Sequence, residues 1–214
     1  GGAGLQSVTA VVTDGTNTLG AVLTRVPGKP GKVRGTLPIA MWTGNQTWTV
    51  AGSPYIIQGD LTVQTGATLT IQPGVVVQFA SSDMQGSGVN TTRPELIVDG
   101  TLNVTGTTAT PVTFRGQTAS AGAWQGLVFN AGATVNIAGL SLQHAIEGIR
   151  TSATGSMAVQ LRDSSFASCS TTGVNILSGS PRLEQVRAFS PGQTGVLVSA
   201  SCTPTLDDVT VQGG

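Results

Sequence analysis

The segments Gly126-Leu127-Val128-Phe129, Gly148-Ile149, Gly173-Val174-Asn175-Ile176 and Gly195-Val196-Leu197-Val198 recur at intervals of 22 to 25 residues, and their reading decides the fold. Each opens a unit. Ile137, Leu161, Leu183 and Leu206 mark the middles of the same units, and Leu140/Leu142, Ser164/Phe166, Val186/Ala188 and Val209/Val211 form a third run. Strand side chains alternate between two faces, so each unit reads as three short strands separated by Gly, Pro, Ser and Thr. One unit cannot bury its apolar residues alone, and the units must stack.

The same unit can be traced backward through Leu61-Thr-Val63, Leu69-Thr-Ile71 and Val77-Gln-Phe79, then through Leu96-Ile-Val98, Leu102-Asn-Val104 and Val112-Thr-Phe114. About six coils result. The inward column of the first strand is Leu61, Leu96, Leu127, Ile149, Val174 and Val196. That of the second is Ile71, Val104, Ile137, Leu161, Leu183 and Leu206, and that of the third Phe79, Phe114, Leu142, Phe166, Ala188 and Val211. Between them, Thr70, Asn103, Asn136, Gln160, Arg182 and Thr205 point outward on the second strand. Gln78, Thr113, Ser141, Ser165, Arg187 and Thr210 point outward on the third. A register slip of one residue would invert every face, so apolar inward and polar outward columns fix the alignment.

These residues carry a resemblance. Ser53 to Phe79 and Glu95 to Phe114 resemble a right-handed, single-stranded parallel β-helix of the pectate-lyase-like superfamily, in particular the repeats of secreted and surface-anchored bacterial proteins. The resemblance spans residues 42–214 and implies an all-β fold with three strands per coil. Handedness comes from the family and from the general preference of parallel crossovers. Residues 1–41 do not repeat. Val8–Thr13 and Leu19–Val26 read as two strands, expected to cap the first coil or to end a preceding domain. The last residues, Val211-Gln-Gly-Gly, carry no cap, so further coils or self-association through that end are expected.

Composition agrees with an all-β chain. Of 214 residues 39% are hydrophobic, only 4% are aromatic and 9% charged, with 30 Gly punctuating the strands. The net charge of zero gives no field to attract nucleic acid. Arg25, Lys29, Lys32 and Arg34 against Asp14 make residues 1–58 locally basic, as a solvated loop around Pro27-Gly-Lys-Pro-Gly-Lys would be. No apolar run approaches the ~20 residues that span a bilayer, so membrane insertion is not expected. With Gly1 first and no signal sequence, the chain reads as a trimmed or mature piece, and the resemblance implies an extracellular or cell-surface protein.

Chemistry is sparse. In β-helix lyases, which the fold resembles, sugar lies along the outward side of the first strand, where carboxylates hold calcium and a basic residue removes a proton. Here that column is Thr62, Ile97, Val128, Arg150, Asn175 and Leu197, without a carboxylate. Its apolar members imply cover by the N-terminal segment, a partner protein or a glycan. Asp163, Gln185 and Asp208 stack in register at the turn after the second strand, with Gly139 one coil earlier, and read as a polar turn ladder rather than the facing carboxyls of a hydrolase. His144 is the sole histidine, in a surface turn. Cys169 and Cys202 differ by half a coil in phase, too far apart for a disulfide. No catalytic residue, metal site or cofactor is assigned.

Two long loops, 80–94 and 115–125, interrupt the body at one corner, and loops on a rigid frame carry recognition. Asp83, Arg93, Arg115 and Trp124 are the side chains there able to contact a protein or glycan, Trp124 either by stacking on it or by sealing the corner. The sequence therefore reads as a non-enzymatic, extracellular structural or adhesion module. A carbohydrate-active enzyme (polysaccharide lyase or glycoside hydrolase) or a carbohydrate-binding module on the same fold is the alternative.

Overall fold

The structure, a computed structural model, describes residues 23–25, 33–35, 40–42, 44–189 and 192–213. They form strands that stack in parallel, with one 3-10 turn at Val50–Gly52. First strands make a seven-stranded sheet of Ala40–Trp42, Leu61–Val63, Glu95–Val98, Gly126–Phe129, Glu147–Thr151, Thr172–Ile176 and Thr194–Val198. Every neighbouring pair in it is parallel. Second and third strands share an eleven-stranded sheet. In the later coils both belong to one bent strand: Ser156–Ala167, Ser180–Phe189 and Thr205–Gln212.

The bend has one cause, repeated. Gly139, Asp163, Gln185 and Asp208 hold φ of 60°, 50°, 53° and 50°. A single left-handed residue turns the chain from one face to the next without breaking the ladder. The pairs Arg162 with Glu184, Glu184 with Asp207, Ser164 with Val186 and Val186 with Val209 place the three polar corner residues one above another, as the repeat requires.

Leu96, Leu127 and Ile149 of the first strand, Ile71 of the second and Phe114 and Leu142 of the third are fully buried. Burying each such side chain contributes about 1.5–3 kcal/mol. The third column differs from the expected register in one place. Phe114 pairs with Val77, while Phe79 lies beside Gly116. The offset is two residues, so Phe79 still faces inward. There it meets Phe114 edge-on, with centroids 5.9 Å apart. The recurrent glycines opening the first strand have a steric reason. A Cβ on Gly173 would stand 2.6 Å from the carbonyl oxygen of Gly195, so the coils approach through bare backbone.

A further coil precedes the one traced from Leu61, within the span expected of the helix but for its first two residues. Ala40–Trp42, Gln46–Trp48 and Tyr55–Ile57 pair in parallel with Leu61–Val63, Thr68–Ile71 and Val76–Phe79. Trp48 continues the second inward column above Ile71 and stacks on Tyr55 at 4.4 Å. Large rings replace the aliphatic pattern, which hid this coil. Leu23–Arg25 and Val33–Gly35 form an antiparallel pair; the expected strand Val8–Thr13 and the rest of the cap lie outside the described residues. On the outward first-strand column Thr62 and Val128 are buried, whereas Leu197 is exposed. Cys169 is buried and free, its thiol pushed up to about 12 by burial, and Cys202 is also free.

Candidate functional site

In the coils opening at Leu61 and Leu96 the position just before the inward leucine of strand one is acidic: Asp60 precedes Leu61 and Glu95 precedes Leu96, and the two leucines pair. Later coils place glycine there, Gly126 pairing directly with Glu95. The loop 80–94 explains the exchange, because the Val89 N–H and the Ser87 hydroxyl reach these carboxylates. Glu95 N–H donates to Asp60 Oδ1 (3.1 Å), and Ser87 Oγ–H donates to Asp60 Oδ2 (2.6 Å). Val89 N–H donates to Glu95 Oε1. Asp83 accepts from Gln85 N–H (2.9 Å) and Ser87 N–H (3.1 Å), folding the loop on itself.

Asp60 is 1% and Glu95 0% exposed. Burial, and then the Asp60 and Asp83 charges, push the Glu95 carboxyl up to about 7 against the opposing Val89 hydrogen bond; Arg150 pulls the other way. Burial likewise raises Asp60. Glu95 Oε2 is buried with no hydrogen-bond partner. Gly88, at φ 70°, permits the close fit, since a Cβ there would lie 1.7 Å from Glu95 Oε1 and 2.9 Å from Asp60 Oδ2. This cluster escaped the sequence reading because its members are 35 residues apart and their partners lie in an aperiodic loop. Their shared place before successive inward leucines was the available signal.

Of the four loop residues singled out from sequence, three are tied into the frame. Asp83 folds its own loop. Arg93 bridges the two loops, donating from Nε to the Gly122 carbonyl (3.1 Å) and from Nη1 to that of Ser81. Trp124 is fully buried and seals the corner, stacked on Phe79 at 3.8 Å and 8°, with Nε1–H donating to the Gln143 carbonyl (2.9 Å). Its ring is therefore turned away from any external sugar. Arg115 is the exposed one. It sits near His144, whose pKa burial lowers and the guanidinium lowers further. Met84 and Val89, 51% and 52% exposed, add an apolar surface to the loop that the sequence reading passed over.

A second surface runs along the outward face of the second strands, a groove lined by Asn103, Asn136, Gln160, Arg162, Arg182 and Glu184. Asn136 Nδ2 donates to Asn103 Oδ1 (3.2 Å) and Gln160 Nε2 to Asn136 Oδ1 (3.3 Å), while Arg182 pairs with Glu184 at 3.4 Å. The amide ladder fixes planar donors and acceptors on a stiff face. Among the described residues no group of three or more His, Cys, Asp and Glu has the geometry of a metal site, and no helix is long and apolar enough to cross a membrane.

A stacked parallel coil is also what comparison finds. The family model for the pectate-lyase like beta helix domain matches residues 42–156, more than half of the chain, and the chain belongs to that family. Membership points to a carbohydrate-related or surface role. Searches of curated proteins and of solved structures return no match.

Proposed function

We propose that this chain is a non-enzymatic, extracellular or cell-surface scaffold, whose stacked coils hold a recognition corner and a polar face toward a protein or glycan. The observation that carries the reading is the use made of its clustered carboxylates. Asp60 and Glu95 are sealed beneath the 80–94 loop and hydrogen-bonded to it. A glycoside hydrolase needs two carboxyls facing substrate ~5–10 Å apart, and this pair faces the protein's own backbone. Exposed Arg115, Met84 and Val89 at the same corner supply the contact surface.

One observation favours the enzymatic alternative: the Glu95 carboxyl, raised to about 7, lies in the range suited to general acid catalysis. The test is a screen for cleavage of acidic and neutral polysaccharides. The scaffold reading expects no turnover. Turnover abolished by Glu95→Gln, Asp163→Ala or Asp208→Ala overturns it.

A further inference from the structure

We propose that the loop 80–94 is a pH-responsive latch, held shut by a proton on the buried Asp60–Glu95 pair and released as that proton leaves. Three observations support it. The two carboxyls approach the same side of Gly88, where a Cβ would collide with both, and neither reaches solvent. They also tether the middle of the loop, through Ser87 Oγ and Val89 N–H, while its ends are held separately by Ala80, Met84, Asn90 and Arg93. Finally, Glu95 Oε2 has no donor. An ionised carboxylate seeks donors on both oxygens, so a buried oxygen without one is where charge is worst tolerated and a proton best placed.

The charged groups facing Glu95, among the described residues, are Asp60 at the start of its neighbouring strand, Asp83 on the loop and Arg150 on the first strand two coils on. Arg150 is itself paired with Glu147 at 3.3 Å. Two like charges beside one shared cation leave the ionised form disfavoured. The sign follows. A carboxyl raised from 4.5 to about 7 stabilises the closed loop fully below 4.5, and that stabilisation is lost as pH rises to about 7, above which it stays flat. Asp60, also raised, acts in the same direction. The loop is thus closed in acid and looser at neutral pH. That this gates recognition rests on the function proposed above; the latch itself does not.

The experiment is amide hydrogen exchange, corrected for intrinsic rates, at Gln85, Ser87 and Val89 between pH 4.5 and 8, with EDTA present and no partner added. The opening constant is expected to rise about tenfold or more up to pH 7 and then level off. Glu95→Gln, which mimics the protonated group, is expected to remove most of that rise and keep the loop closed. Should that variant not fold, Asp60→Asn serves, moving the plateau to lower pH. Protection independent of pH in the wild type, or an unchanged profile in the variant that folds, overturns the proposal. So does an opening constant that answers to added calcium and not to pH. Because no partner is present, failure here leaves the scaffold reading intact, while a binding assay with Arg115, Met84 and Val89 replaced tests that reading alone.

Discussion

One position of the coil is built in two ways. Before the inward residue of strand one, the coils opening at Gly148 and Gly173 carry glycine, and those opening at Leu61 and Leu96 carry Asp60 and Glu95. At the glycines backbone closes on backbone and a side chain would collide: a Cβ on Gly148 would lie 2.5 Å from the Gly173 carbonyl oxygen. Where the loop 80–94 packs on the coils, buried carboxylates supply the acceptors for the Ser87 hydroxyl and the Val89 N–H. The difference teaches that an insertion packed on a stacked coil must find hydrogen-bonding partners on the coils it covers. Here two of those partners, Asp60 and Glu95, are acidic and buried.

Five substitutions break or sharpen that contrast. The largest effect is expected for Phe114→Ala in the fully buried third column, a loss of about 3–5 kcal/mol in urea-induced unfolding because the cavity cannot be filled by its neighbours. Next is Gly173→Ala, about 1–3 kcal/mol, because the methyl meets the Gly195 carbonyl. Its counterpart Gly88→Ala is expected to free the loop to proteolysis while leaving the unfolding midpoint of the coils nearly unchanged. Third, the melting temperature of the wild type is expected to fall as pH rises from 4.5 to about 7, and Glu95→Gln to flatten that fall, since the raised carboxyl stabilises only while protonated. The smallest is Arg115→Ala, within about 0.5 kcal/mol in stability, with its effect expected on partner affinity instead.

The coils were legible because alternation with period two, repeated in register, has one geometric solution. Ile137, Leu161 and Leu183 lie where their spacing put them, and so does the corner formed by Asp163, Gln185 and Asp208. Spacing alone could not choose between Val77 and Phe79 as the neighbour of Phe114, because both choices preserve the face. The coil at Ala40–Ile57 fell almost wholly within the span 42–214 expected of the helix, but its strands could not be traced because its aromatic residues pack by ring stacking, a contact that leaves no period. The acidic cluster was half legible. Its strand positions follow the repeat, but Ser87 and Val89 reach it through loop geometry that no spacing encodes. Trp124 was visible as a corner residue, while its burial depended on Phe79 lying two residues beyond the expected register.

That stacked pair has an optical consequence. An indole held parallel to a phenyl ring at 3.8 Å, with its N–H committed to the Gln143 carbonyl, emits from a dry and rigid site. The chain has three tryptophans, so replacing Trp42 and Trp48 by Phe would leave Trp124 as the sole long-wavelength fluorophore. Its neighbours Gly122 and Gln125 receive the loop through Arg93 and Asn90. A red shift and greater quenching by acrylamide would then report water reaching the corner, giving the molecule an intrinsic probe of its own seal.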